Sequence, residues 1–447
     1  MTISYLTCQD LTPVTPAVAW ATTANSPAIA ATNIAPLALE IQQGTDVDLL
    51  SAVLTTFQPD LTSEQAKTIA AASLAEVFSA KAHLSITSTD TSLKIAELYH
   101  QPTMTDRDLA ASLYFKLFAL QQQLNHDQTE PIFLANDPAL LISLAHFLPE
   151  TARLVGFFAP EQVHGLQRQQ LAAALDKPLV KLYQLEEPIT AQELELTVNK
   201  PHFQELAATN QEQLIVLDNC QFSLLMGQIF NLLKVSLAAT SATEIVTTTH
   251  DFSNVLAAYY AQQLGAPISG VTVALKQMTP VARFFENGEP MLTSVAAVNL
   301  QRLLVGLTGQ ASPVLTATEI QDQLVDFLTI KVVDQEAALP EIRQAQSRQQ
   351  ITVGPEAALA LAVAADSEQP QLVLAPADPY LTPDVVLAGI TNHPTDKRDF
   401  EAAQILRQVI AAPMPRMITH LKSQQIQEFQ AFSHAQIADE LAAWLDQ

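Results

Sequence analysis

Residues 249–289 read THDFSNVLAAYYAQQLGAPISGVTVALKQMTPVARFFENGE. The residues just before and within this stretch, TEIVTTT (243–249) and ISGVTVAL (268–275), are apolar and β-branched and read as strands, while Phe252 to Leu264 has the length and composition of a helix. The same alternation runs outward from this strand–helix–strand unit. PIFLAN, ARLVGFF, PLVKLYQL and QLIVLD upstream and QLVLAP downstream read as strands. Between the upstream strands lie helix-length segments at Ala139–Phe147, Pro160–Leu175, Ala191–Leu206 and Phe222–Ser236. Strands alternating with helices predict an α/β fold with a mostly parallel sheet. Before Lys94 the pattern is helical, at Asp46–Phe57 and Ser63–Ser79. QPDLTSEQ between them supplies an N-cap at Thr62 or Ser63. The last third is more helical, the Gln-rich QAQSRQQ (344–350) is short, and no internal repeat is evident.

With 447 residues and 48% hydrophobic content, the chain can form two or three packed domains. Its apolar runs fall far below a membrane span, and the start, MTISYLTCQD, lacks a basic region followed by an apolar one. Cys8 and Cys220 form no CxxC pattern, so a reducing, cytoplasmic setting is expected. The net charge of −24, without a Lys/Arg stripe, makes nucleic acid and anionic membranes poor partners. There are 11 glycines, against a usual ~7% of residues, and none form GxG. A loop cradling phosphate on backbone amides usually needs clustered glycine. The ten histidines form no HxxxH or His/Cys cluster, so no metal is expected. GxSxG, a Walker loop and a dinucleotide fingerprint are absent.

The 249–289 stretch, with AAVNLQRLLVGLTG (296–309) after it, resembles threonine synthase, a pyridoxal-phosphate family with the tryptophan-synthase-β type of fold. DVDLLSAVLTTFQPDLTSEQ (46–65) resembles the family's N-terminal helices, and LYHQPTMTDRDLA (98–110) resembles its LFHGPTLAFKDFA. VHGLQRQQL (163–171), DNCQFSLLMGQIF (218–230) and LVLAPADPYLTPDVV (372–386) resemble further family segments, in the family's order. The resemblance implies a two-lobed, open parallel-sheet α/β fold with an N-terminal helical extension. It implies a division into 1–90 (helical region), 91–130 with 211–390 (large domain), 131–210 (small domain) and 391–447 (C-terminal helices). The family reaction converts O-phosphohomoserine to threonine. A lysine holds the cofactor as a Schiff base, and a glycine-rich loop at a helix N-terminus binds its phosphate.

Position by position, the resemblance implies loss of this machinery. Anchored on His100, Pro102 and Thr103, the Schiff-base lysine falls on Arg107, seven residues after the histidine. A guanidinium stays protonated and is no amine nucleophile. The rival is Lys116, because FKLFALQ (115–121) also resembles the family's FKDFALQ. Thr105 and Asp108 predict a capping-box start near Asp106, so Lys116 would lie nine residues past Arg107. That is about 180° around the helix and roughly 13 Å along it. The phosphate loop falls on Thr249, His250, Asp251, Phe252, Ser253 and Asn254, where His250 and Ser253 replace the family's two glycines and Asp251 introduces a carboxylate that caps the following helix. The substrate loop falls on Asn136, Asp137, Pro138 and Ala139, with Leu140 and Leu141 where amides and hydroxyls would meet the ligand. A family arginine falls on Leu224 and a histidine on Asp378, and TVGPEAA (352–358) echoes a further turn. Packing residues survive, among them Tyr259, Tyr260, Arg283, Phe284, Phe285, Asn299, Arg302, Leu303 and Leu304.

The leading expectation is therefore a degenerate threonine synthase-like protein without cofactor. It would act as a binding or regulatory protein, with a small molecule in the old cleft or a protein as partner. The alternative is an active pyridoxal-phosphate enzyme using Lys116. A third option is a cofactor-free acid–base site built from Arg107, Asp108, His250 and Asp251, set against the plainer reading of a polar cleft wall.

Overall fold

The computed structural model describes residues 3–16, 26–78, 84–88, 92–239, 241–289, 294–311, 316–364, 369–411, 413–424 and 429–445. Its strands are β1 (Ser4–Thr7), β2 (Pro13–Val14), β3 (Ile29–Thr32), β4 (Ser85–Ser88), β5 (Leu93–Glu97), β6 (Glu130–Ala135), β7 (Arg153–Phe158), β8 (Val180–Leu185), β9 (Glu212–Leu217), β10 (Thr243–Thr248), β11 (Ile268–Lys276), β12 (Leu328–Val333), β13 (Gln371–Ala375) and β14 (Ala431–Phe432). The helices that position the site are α1 (Asp46–Phe57), α2 (Ser63–Val77), α3 (Asp108–Asn125), α4 (Pro138–Phe147), α5 (Gln167–Ala174), α6 (Ala191–Val198), α7 (Pro201–Thr209), α8 (Phe222–Leu237), α9 (Ser253–Gln263), α10 (Ser294–Thr308), α11 (Pro355–Ala364) and α12 (His434–Leu445).

The expected parallel α/β architecture is present as two lobes. The large lobe has a six-stranded sheet ordered β12-β11-β10-β13-β5-β4, parallel except for β4 at its edge. Alternate side chains explain why both of its faces are buried. Ile245, Val271, Val273, Leu372 and Leu374 pack against α1, α2, α8, α9 and α10, while Ile95, Val246, Ala274 and Val373 pack against α11 and its neighbours. The small lobe has a five-stranded parallel sheet ordered β14-β8-β7-β6-β9. Phe133, Leu154, Phe158 and Leu217 face α3 and α4. Leu134, Phe157, Tyr183 and Val216 face α6, α7 and α12. Helix α3 joins the lobes: Leu109, Leu113 and Leu117 belong to the large-lobe core, and Ala110, Ala111, Tyr114 and Phe115 to the small-lobe core. Gly227 lets α8 cross α3 closely, because a β-carbon there would lie 2.6 Å from the Ala110 nitrogen.

Several boundaries differ from the sequence expectation. The division at 210/211 falls one strand early, since β9 pairs along its length with β6 and so belongs to the small lobe. The C-terminal region is not a separate helical unit, because β14 extends the small sheet beside β8 and α12 buries Ile437, Leu441 and Leu445 against it. The N-terminal region is helical at α1 and α2, but β1, β2 and β3 form an antiparallel sheet before them. Thr62 is the N-cap of α2, in a reciprocal box with Gln65. That helix ends at Val77, and Ser79 lies outside the described residues. The helical segment at 191–206 is two helices, because Pro201 cannot continue α6 and instead starts α7. Likewise Pro160–Leu175 is a 3-10 turn at Pro160–Gln162 followed by α5. No described helix is long and apolar enough to cross a membrane.

Candidate functional site

In open parallel sheets, ligand sites form beyond the carboxyl ends of the strands, where the strand order reverses direction. The large sheet reverses between β10 and β13, and the small sheet between β6 and β9. The segments leaving β5, β10, β13, β6 and β9 are residues 98–107, 249–252, 376–378, 136–137 and 218–221, and hydrogen bonds and ion pairs join them. Asp106 N donates to Pro376 O at 2.9 Å and Asp378 N to Met104 O at 3.0 Å, tying the β5 and β13 segments together.

The loop after β10 supplies the centre. Phe252 is fully buried and left-handed, with φ 59°, directly before α9. Its N–H donates to Thr249 Oγ1 at 2.8 Å, and Ser253 N donates to Asp251 Oδ1 at 2.9 Å. The Phe252 and Ser253 amides are thus satisfied by the chain's own side-chain oxygens. Asp251 also accepts from Ser253 Oγ at 2.8 Å and from Asn219 Nδ2 at 2.7 Å, while Asn299 Nδ2 donates to its backbone carbonyl at 2.9 Å.

Arg107, at the head of α3, faces this carboxylate. Its guanidinium lies 3.8 Å from Asp251 Oδ2 and 3.5 Å from Asp106 Oδ1, and it contacts Asn219 Oδ1 and Ser253 Oγ, each at 3.5 Å. Burial works against the charge on Arg107, but Asp106, Asp251 and Asp137 outweigh it and stabilise the cation. Burial likewise pushes Asp251 up, and His250, Arg107 and the Ser253 hydrogen bonds more than reverse this, leaving the carboxyl at about 2. Asp106 is raised by burial despite Arg107.

The small lobe closes the cluster. Asp137 caps α4 by accepting from Leu140 N at 2.7 Å, and His250 Nε2 lies 3.5 Å from Asp137 Oδ2 and 3.8 Å from Asp251 Oδ2. Asp251 first, with Asp137 and against burial, raises the imidazole to about 9. Its ring nevertheless remains 67% exposed to solvent, so screening weakens these attractions. Asn136 turns its amide to Ile189 O at 2.5 Å. Leu140 and Leu141 do not line the cleft as expected. They are buried in the small-lobe core, where helical periodicity turns them onto the sheet.

Two further expectations are corrected. Helix α3 begins at Asp108 without a side-chain cap, and the Thr105–Asp108 box does not form. The Asp108 carboxylate instead receives Thr103 N at 2.7 Å, Thr103 Oγ1 at 2.6 Å and Ser143 Oγ at 2.6 Å. Asp108 therefore stays outside the Arg107–His250–Asp251 set; burial, against these bonds, raises it to about 6. Lys116 points at helix α2, paired with Glu76 and donating to Ser112 Oγ at 3.0 Å. Leu224 is in the small-lobe core, and Asp378 caps the turn after β13 by accepting from Tyr380 N at 2.8 Å. Gly354, in the TVGPEAA segment, abuts Ala377 and Pro379 of that same turn.

Asp106, Asn219 and Asn299 complete the cluster and were not singled out from sequence as polar site residues. The acid–base–acid triplet Asp106–Arg107–Asp108 was a visible signal for the first. Nothing local marks Asn219, which meets Asp251 across 32 residues. Among the described residues no cluster of His, Cys, Asp and Glu is arranged to hold a metal.

No family model matches the sequence, and no curated protein matches it either. Solved structures do. The pyridoxal-phosphate-bound threonine synthase of Brucella melitensis superposes with a TM-score of 0.76, covering 99% of both chains at 15% identity. Threonine synthase from Escherichia coli gives 0.74 over 99% of both chains at 16% identity. The yeast enzyme gives 0.75 at 14% identity, over 99% of this chain and 98% of its own. The chain has the threonine synthase fold. At this identity the likeness is one of architecture, and it extends over both lobes. Within this fold, the Arg107–Asp251–His250–Asp137 cluster joins segments that follow strands of both sheets.

Proposed function

We propose that this chain is a degenerate threonine synthase-like protein whose cleft is occupied by its own charged side chains, and that it works as a non-catalytic binding or regulatory protein. The observation that carries this reading is the pairing of Arg107 with Asp251 at a helix start whose Phe252 and Ser253 amides are already satisfied. Pyridoxal phosphate needs a primary amine to hold its aldehyde and free backbone amides to hold its phosphate. The residues at this site do not fit it. Arg107 offers no such amine, and the Asp251 carboxylate, held ionised at about 2, would repel a phosphate dianion. Lys116 is engaged with Glu76 on the far side of α3, which supports Arg107 rather than Lys116 as the residue at the old lysine position. The net charge of −24 favours a small-molecule or protein partner over nucleic acid or membrane, and two cysteines without a CxxC pattern fit a reducing, cytoplasmic setting.

The test is to mix purified protein with pyridoxal phosphate, record the visible spectrum, reduce with borohydride and digest for mass spectrometry. No internal-aldimine band and no modified lysine are expected. A band together with an adduct on the Lys116 peptide, or on any other lysine, would overturn the reading.

A further inference from the structure

The small-lobe sheet ends at β9, and that edge is open. In the ladder with β6, Glu130 stands opposite Glu212 and its N–H donates to Gln211 O at 2.9 Å. Parallel pairing then turns the main-chain groups of Gln213, Ile215 and Leu217 towards β6, and those of Glu212, Leu214 and Val216 away from it. Val216 O is taken by Gln221 Nε2 at 3.0 Å, whereas the Leu214 N–H and C=O meet no partner among the described residues. Edge strands are normally blunted by short length, lysine or proline. At the other edges of the two lobes' sheets, β14 has two residues, β4 has four and β12 carries Lys331. By contrast β9 runs for six residues without lysine, proline or glycine, and its one charge, Glu212, is paired with Arg153.

A cavity of about 380 Å³ borders this edge, between the C-terminal half of α3, the end of α6 and the start of α8, and Leu214 and Ile215 line it. One wall is aromatic, with the Tyr114 and Phe118 rings stacked at 6.0 Å between centroids, and Val198 adds aliphatic surface. An open strand edge beside an apolar cavity can accept an added strand, held by main-chain bonds while the cavity takes its side chains. The lining decides the charge of the occupant, for it carries Asp127 and Glu195 and no lysine, arginine or histidine. A second copy of this chain would set the same carboxylates against them, at a net charge of −24 per chain, whereas a basic segment is attracted.

We propose that the free edge of β9 is a docking strand for an extended segment of a partner protein that combines apolar residues with lysine or arginine. The segment's main chain bonds to Leu214, its apolar side chains enter the cavity against Tyr114, Phe118 and Val198, and its cations meet Asp127 and Glu195. None of Arg107, Asp137, His250 and Asp251 lines this surface, so it stands whether or not the proposed function does.

The test uses the full chain and two blocked hexapeptides, one alternating lysine with valine and one alternating glutamate with valine, titrated by calorimetry. The lysine peptide is expected to saturate, and the glutamate peptide to bind at least tenfold more weakly. Hydrogen exchange followed by mass spectrometry should show residues 212–216 slowed at saturation, which separates docking on β9 from loose attraction to an acidic surface. Leu214→Pro removes the outward N–H but keeps the bonds of Gln213 and Ile215 to β6, and should weaken the lysine peptide tenfold or more. If that variant fails to fold, the exchange measurement on the unmodified chain carries the test. The proposal is overturned if the lysine peptide does not saturate, if the glutamate peptide binds as well, if exchange in 212–216 is unchanged, or if folded Leu214→Pro binds as before. Self-association of the chain that Leu214→Pro abolishes would overturn it too, by making a second copy the occupant.

Discussion

Among the described residues two arginines are buried, and they are held in opposite ways. Arg302 on α10 is fully buried and surrounded by neutral acceptors. Its Nε donates to Ile29 O at 2.9 Å, one terminal nitrogen reaches Cys220 O, and the guanidinium lies 4.6 Å from the centre of the Phe222 ring. Arg107 has carboxylates around it instead, at 3.5 Å and 3.8 Å, too long for the bidentate geometry an arginine–carboxylate pair can reach. The first ties β3 and the β9–α8 loop to α10 through directed hydrogen bonds. The second answers local charge without tight contacts. Arg302 lies in a segment that resembles threonine synthase, whereas Arg107 stands where that resemblance breaks down. The contrast separates a buried arginine held by directed hydrogen bonds from one held by surrounding charge.

The comparison can be broken at either residue. Arg302→Ala should give the largest effect, roughly 3–5 kcal/mol of destabilisation in urea unfolding, because it leaves buried carbonyls unpaired and opens a cavity. Asp251→Ala should follow at about 3 kcal/mol, by leaving Arg107 buried with less compensating charge. Combining it with Arg107→Met should restore part of that loss, since removing both charges spares both desolvation costs; a fully additive loss in a double-mutant cycle would contradict the pairing. Asp137→Ala should cost about 1 kcal/mol, the worth of the α4 cap. His250→Ala should be smallest, under about 1 kcal/mol, because its exposed ring is screened.

Stability should also follow pH with a definite sign. The His250 contribution is complete below its ordinary 6.5 and is lost as pH rises towards about 9. The Asp251 contribution is complete above its ordinary 3.8 and is lost as pH falls towards about 2. For these two groups, melting temperatures should be highest between those ordinary values. In His250→Ala, the alkaline decline should become shallower.

The fold was legible because the matching segments carry packing residues, whose apolar spacing is set by burial rather than by the chemistry of the site. Thr62 was legible as a helix start because caps act over three residues, whereas Asp137, read as part of a ligand loop, proves to cap α4. The Thr105–Asp108 box failed for a nonlocal reason: Ser143, from the other lobe, joins Thr103 in drawing the Asp108 carboxylate away. The 210/211 boundary failed because strand pairing, not the strand's own sequence, decides which sheet β9 enters. The substitutions at Arg107 and Asp251 could each be seen. Their meeting across 144 positions could not, and it is this meeting that sets the two opposite charges in one buried cluster.

The His250–Asp137 contact has a mechanical consequence. His250 follows a strand of one sheet and Asp137 follows a strand of the other. Hinge motion that widened the cleft would pull this pair apart and admit water to Asp251 and Arg107. The pair therefore links the two sheets electrostatically, most strongly where the imidazole is protonated and less as it loses its proton.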